Sequence, residues 1–216
     1  MSPRDLERDP LRVAVLLSGE GTSLENLCEQ IDKGTVPAHV VAVISSKEGV
    51  GGLRRAENRG IPAIAVPRKQ HPDVDAVNDA LHAALAPHDP ELVALLGFLS
   101  PFQLRERYEG RVMNVHPALI PAFSGRGFYG RHVYDAVFEK GVEVTGATVH
   151  FVDEEYDHGP SVLQEAVPVR EDDSVESLQA RVTAAERRLV PEAIRLFAEG
   201  RLQVDGTRVR ILDPGG

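Results

Sequence analysis

The sequence predicts an α/β fold: a mostly parallel central sheet with helices on both faces, and mixed-direction strands in the C-terminal half. Three observations predict it. Between residues 12 and 96, short and nearly continuous apolar runs alternate with stretches of helical periodicity, the pattern of buried parallel strands joined by crossover helices. The first strand-to-helix join is rich in glycine, Ser18-Gly19-Glu20-Gly21-Thr22-Ser23, as nucleotide-binding sheets often are. Beyond residue 142, two long β patterns follow one another with only an acidic turn between them, which adds strands of mixed direction.

Taken in order, Arg12 to Leu17 is the first strand. A helical face of Leu24, Leu27, Cys28 and Ile31 follows and ends near Gly34. Val40 to Ser45 is a second strand, Leu53 to Arg59 a helix stopped by Gly60, and Ile61 to Val66 a short strand. Val74 to Leu85 is helical, with Val74, Val77, Leu81 and Leu85 expected inside, and Leu92 to Leu96 is a fourth strand. The loop from Gly97 to Phe102 carries two exposed-looking aromatics, and a helix is expected from Gln103 to Tyr108. Val112 to Val115 is the fifth strand. An irregular loop with Pro117, Pro121, Gly125, Gly127 and Gly130 leads to a helix over His132 to Glu139. Val142 to Val152 and Ser161 to Val169 are β patterns joined by the turn Asp153 to Gly159. Ser174 caps a last helix, Val175 to Ala198, expected to bend at Pro191. Leu202 to Arg210 reads as a hairpin on the turn Asp205-Gly206.

At 216 residues with a hydrophobic fraction of 42%, the chain has enough apolar material for one domain, 1–216. Residues 1–10 read as a flexible leader and 202–216 as a C-terminal hairpin and tail. The formal charge of −9 disfavours a nucleic acid or an anionic membrane as partner. The single cysteine, Cys28, excludes an internal disulfide and suits a reducing cytoplasm, as does the lack of an apolar leader or membrane-length run. Inside a helical pattern, Cys28 is expected to be a plain core residue.

The chemistry concentrates between Val112 and Pro160. Asn114 and His116 are two apart in a strand, so both side chains face one side of the sheet edge. An amide and an imidazole there can donate to a developing oxyanion and move a proton. Asp157 supplies a carboxylate from the acidic turn, expected to pair with His116 and favour its charged form. His150, Asp157 and His158 are an alternative set of metal ligands, but no compact motif such as His-Glu-x-x-His is present, and no metal is expected. Gly19 to Leu24 fits an anion nest at a helix N-terminus. A dinucleotide fingerprint fits less well, since the third glycine is missing and the second strand ends in Ser45-Ser46-Lys47 rather than an acid. Glu186 lies amid Arg181, Arg187 and Arg188, where ion pairs on a helix face are the plain expectation. His39, His71, His82 and His88 read as surface or capping residues.

Three ordered motifs carry a resemblance: Ser-Gly-Glu-Gly-Thr-Ser-Leu at 18–24, Asn-Val-His-Pro-Ala-Leu-Ile-Pro at 114–121, and Thr-Val-His-Phe-Val-Asp-Glu-Glu-Tyr-Asp-His-Gly-Pro at 148–160. Together they resemble the phosphoribosylglycinamide formyltransferases, the folate-dependent transformylases of purine synthesis. The resemblance extends from the first strand to about Leu202 and implies a formyltransferase-type Rossmann-like fold. It implies formyl transfer from 10-formyltetrahydrofolate to the amine of glycinamide ribonucleotide, without a metal. On it, Asn114, His116 and Asp157 are catalytic. Gly21, Thr22 and Ser23 bind the substrate phosphate and Glu186 the glycinamide. Phe98, Leu99, Ser100, Asn114, Val152 and Asp153 bind the folate. Expected partners are these small molecules alone, with the chain a monomer or homodimer.

The chain departs from the family pattern in four places. The loop after Gly97 is about two residues shorter than the commoner form and lacks its basic residue. Ser124 to Gly130 replaces a shorter Pro-Gly segment, His158 stands where glycine is usual, and Thr183 stands where a longer polar or basic side chain often reaches the phosphate. Two related activities remain as alternatives. A formyltetrahydrofolate deformylase would give the formyl group to water, but usually carries an N-terminal regulatory domain. A methionyl-tRNA formyltransferase needs an RNA-binding domain and a basic surface. A non-catalytic nucleotide-binding module is the alternative from another class.

Overall fold

The structure, a computed structural model, describes residues 9–214. Most of the expected leader and the last two residues of the tail lie outside the described residues. The chain divides into two compact units, Met1–Met113 and Asn114–Gly216.

The first unit begins with β1 (Leu11–Leu17), α1 (Thr22–Asp32), β2 (Ala38–Ser45), α2 (Gly51–Asn58) and β3 (Ala63–Ala65). It continues with α3 (Val74–Leu85), β4 (Leu92–Leu95) and the single turn α4 (Arg105–Tyr108). Its strands lie in the order β3-β2-β1-β4, all parallel. The apolar runs explain this arrangement. Every residue of β1 except Arg12, and all of β4, is buried, as strands covered on both faces must be.

Two expectations fail in this unit for the same reason. Val74 is 37% exposed, because it follows the cap Asp73, whose carboxylate accepts the Ala76 N–H (2.8 Å). The inner position belongs instead to Asn78, which is fully buried. Its Nδ2 donates to the Val74 carbonyl, and its Oδ1 accepts the Gln103 N–H (2.8 Å). The His82 ring bonds the Gln103 carbonyl (2.8 Å) and stacks on Phe102. His82 therefore caps the Gln103 backbone, one of the two roles expected of it, and Phe102 is half-buried. With both backbone groups of Gln103 taken by side chains, the expected helix from 103 shrinks to α4.

The division between units falls within β5 (Val112–His116). The second unit adds α5 (Arg131–Lys140), β6 (Val144–Phe151), β7 (Ser161–Pro168), α6 (Val175–Ala198), β8 (Leu202–Asp205) and β9 (Arg208–Ile211). The order from β5 onward is β5-β6-β7-β9-β8. β6 and β7 are antiparallel, β7 and β9 parallel, and β8 and β9 antiparallel. The mixed directions expected here are observed.

α6 starts as its sequence requires. Ser174 and Ser177 cap each other reciprocally (3.2 and 3.0 Å). Pro191 is buried within it. The hairpin differs from expectation in its turn: Asp205 pairs with Arg208, so the two loop residues are Gly206 and Thr207, and Gly206 supplies the positive φ. Among the described residues, no helix is long and apolar enough to cross a membrane.

Candidate active site

The end of β5 delivers Asn114 and His116 to a cluster within the second unit. The Asn114 amide donates from Nδ2 to His150 Nε2 (3.1 Å) and to Asp157 Oδ1 (3.3 Å). His116 is almost wholly buried, with Nδ1 lying 3.4 Å from Asp157 Oδ2. Its Nε2–H donates to the Phe123 carbonyl (2.7 Å). His150 comes from β6 and is 1% exposed. Its Nδ1–H donates to the Phe151 carbonyl (2.8 Å), which leaves Nε2 as the acceptor for Asn114. Asp157 also accepts the Gly125 N–H at Oδ2 (3.0 Å).

The sequence pointed to Asn114, His116 and Asp157, and the fold brings these three together. His150 was set with Asp157 only as an alternative metal ligand, and the loop backbone at Phe123 and Gly125 was missed. The one signal for His150 was a lone polar ring inside the apolar β6 run, where a buried polar group must find partners.

Charge follows from burial and neighbours. Burial pushes the Asp157 carboxyl up. The neighbouring His150 and His116 rings and the Gly125 N–H outweigh it, and the group ends below its ordinary value. Asp157 is therefore a carboxylate at neutral pH. Burial pushes His116 down; Asp157 and the Phe123 carbonyl oppose this without overcoming it. This corrects the expectation that Asp157 holds His116 in its charged form: at rest the ring is neutral. Asp157 has φ 53°, an uncommon conformation for a residue with a side chain. The turn that imposes it is tight, since a Cβ on Gly159 would lie 2.0 Å from the Phe151 carbonyl oxygen.

In the second unit, Val152 and Asp153 open the turn, both half-buried. Asp153 accepts the Glu155 N–H at Oδ1 (2.9 Å) and the exposed His158 ring at Oδ2 (2.7 Å). His158 thus turns to Asp153 and away from the ligand set once open to it. Among the described residues, no group of three or more His, Cys, Asp or Glu is arranged to hold a metal ion. Glu186 is half-buried on α6, where burial pushes its carboxyl up to about 7. The ion pairs expected of it go elsewhere: Arg188 pairs with Glu165 and Arg181 with Asp173.

In the first unit, Gly21 caps α1 with φ 72° and no side-chain hydrogen bond, and Thr22 and Ser23 form the first turn. A Cβ on Gly21 would meet Gly52 Cα at 2.6 Å, so the turn is packed backbone against backbone at the start of α2. Buried Ser18 pairs with Ser46 (Oγ to Oγ 2.5 Å) and accepts the Leu99 N–H (2.8 Å). This bond ties the loop of Phe98, Leu99 and Ser100 to the glycine-rich turn. Leu99 is 55% exposed, while Phe98 and Ser100 are half-buried.

Within the second unit, a carboxylate set against two imidazoles and an amide is an arrangement able to carry acid–base chemistry. The formyl transferase family model matches residues 11–194, and the chain belongs to that family. It is 36% identical over 196 residues to the phosphoribosylglycinamide formyltransferase of Haemophilus influenzae, covering 89% of this chain and 90% of that protein. It is 42% identical over 203 residues to the trifunctional purine biosynthetic protein adenosine-3 of Gallus gallus, covering 92% of this chain. The chain spans only 20% of that longer relative. The crystal structure of glycinamide ribonucleotide transformylase 1 from Symbiobacterium toebii superposes with a TM-score of 0.90 at 40% identity, over 99% of this chain and 98% of that one. These relatives set the chain among the phosphoribosylglycinamide formyltransferases.

Proposed function

We propose that this chain moves the formyl group of 10-formyltetrahydrofolate to the amine of 5'-phosphoribosylglycinamide. The observation that carries the reading is the Asn114–His116–His150–Asp157 cluster, in a chain of this family. The neutral amine attacks the formyl carbon, and charge develops on the formyl oxygen. The Nε2–H of His116 and the amide of Asn114 donate to that oxygen. At rest the Phe123 carbonyl accepts the His116 Nε2–H, so the formyl oxygen replaces that carbonyl. The new negative charge, added to that of Asp157, favours the imidazolium that burial alone disfavours. The carbon–N10 bond of the folate then breaks. N10 gains a proton as the amine loses one, giving tetrahydrofolate and the formylated glycinamide.

The remaining assignments rest on the resemblance. Gly21, Thr22 and Ser23 offer uncapped helix N–H groups to the phosphate. Glu186, with no ion pair of its own among the described residues, holds the glycinamide. Phe98, Leu99, Ser100, Val152 and Asp153, with Asn114, contact the folate. The test follows folate deformylation by absorbance, with 10-formyltetrahydrofolate or a dideaza analogue, with and without glycinamide ribonucleotide. Turnover that requires the ribonucleotide is expected. Equal turnover without it would make the chain a hydrolase and overturn the reading.

A further inference from the structure

We propose that His158 is a positioning residue for Asp157: bonded to Asp153 across the turn, it holds the Asp157 carboxylate against the two imidazoles. The inference rests on the proposed role of Asp157 in formyl transfer. The turn from Phe151 to Pro160 is closed at its stem, where the Phe151 N–H donates to the Pro160 carbonyl (2.9 Å) and Gly159 packs on the Phe151 carbonyl. Its tip is closed differently. The His158 Nδ1 to Asp153 Oδ2 bond (2.7 Å) encloses residues 154–157, and the Asp153 Oδ1 to Glu155 N–H bond braces one side. Asp157 is the last residue inside this ring. It is held at φ 53°, a conformation that a side-chain-bearing residue leaves unless its surroundings hold it. The contacts of its carboxylate hold one end, and the peptide it shares with His158 holds the other.

The bond depends on the charge of the His158 ring. The charged groups acting on that ring are Asp153 and Glu155, both acids, and the hydrogen bond to Asp153 comes first in raising its pKa. The clasp is therefore charge-assisted while the ring is protonated. It loosens as pH rises through the ring's raised pKa. Because the pair is exposed, its effect is modest, about two- to fivefold in rate.

The experiment compares kcat of wild type, His158→Ala and His158→Asn from about pH 6 to about pH 9.5, with Tm measured alongside and Asp157→Asn as control. Wild type should lose part of that roughly two- to fivefold in kcat as His158 deprotonates, since the neutral ring keeps an N–H for Asp153. His158→Ala should run lower by the full factor at the acid end, lack the transition and stay below wild type at high pH, with Tm unchanged. His158→Asn, an uncharged donor, should recover most of the rate and also lack the transition. An active His158→Ala that keeps wild-type kcat, or keeps the transition, overturns the inference while an inactive Asp157→Asn leaves the formyl-transfer reading standing. A joint loss of kcat and Tm in His158→Ala, without rescue by asparagine, makes the clasp merely structural and also overturns it. Absence of ribonucleotide-dependent turnover in wild type would overturn the formyl-transfer reading, and this inference with it.

Discussion

Replacing Asp157 with asparagine removes a charge while keeping the shape of the side chain. The oxygen nearest His116 lies 3.4 Å from Nδ1, and at an effective dielectric of about 20 a full charge pair at that distance is worth about 5 kcal/mol. At rest His116 is neutral, so little of this is present in the ground state. It develops only as the ring gains charge in the transition state, where it accelerates the reaction. Allowing roughly half for relaxation of the site leaves about 2–3 kcal/mol, or about 30- to 150-fold in kcat. The fold should survive, because the amide oxygen still accepts one of the two N–H groups now bonded to the carboxylate, and the lost bond costs about 1–2 kcal/mol. The sign of the pH dependence follows. The folded Asp157 carboxyl lies below its ordinary value, so its contribution to stability is present above the unfolded pKa and is lost as pH falls through the folded one. Asp157→Asn should therefore flatten the acid side of the stability profile. The assay is steady-state turnover at saturating concentrations of both substrates, with denaturant unfolding in parallel. A folded variant turning over within about threefold of wild type would refute the reasoning.

Three other outcomes are expected. Gly21→Ala forces a Cβ to within 2.6 Å of Gly52 Cα at a residue with φ 72°. It should raise KM for the ribonucleotide by about tenfold or more, with the folate KM nearly unchanged; a uniform loss of kcat would contradict this. Glu186 has its carboxyl raised to about 7, so it costs stability progressively as pH rises from about 4.3 through that value. Glu186→Gln should abolish this decline in Tm between acid and mildly alkaline pH, and raise KM for the glycinamide substrate. Cys28 is buried, and burial pushes its thiol up to about 11. A thiol reagent at neutral pH should label it only at the rate of unfolding, read by timed quenching and mass spectrometry.

The parts of the fold legible in the sequence were those whose signals are local. The bounds of α3 and α6 match expectation because Asp73 and Ser174 mark their starts within a few residues. Parallel strands were legible from runs such as Leu92 to Leu95. The truncation of the helix after Gln103 was not, because its cause is Asn78 and His82, more than twenty residues earlier in the chain. His150 was set beside Asp157 only as an alternative metal ligand, because one histidine in an apolar strand does not display its partner. Its importance comes from a partner, Asn114, on another strand. The rest state of His116 was misjudged for a related reason: a sequence displays the opposing charge of Asp157 but not the depth of burial that outweighs it.

The loop from Pro117 to Gly130 touches His116 and Asp157 through backbone alone, by the carbonyl of Phe123 and the N–H of Gly125. Main-chain groups are the same whatever side chain they carry. The loop is therefore free to change its lettering so long as its path is kept. Arg126 and Tyr129 can be exchanged without rewriting the acid–base chemistry, whereas Phe128 packs edge-on against the Phe123 ring and shares in holding that path. A library randomised at Arg126 and Tyr129 should yield many variants that keep turnover, whereas changes that shift the path at Gly125 should silence the whole set.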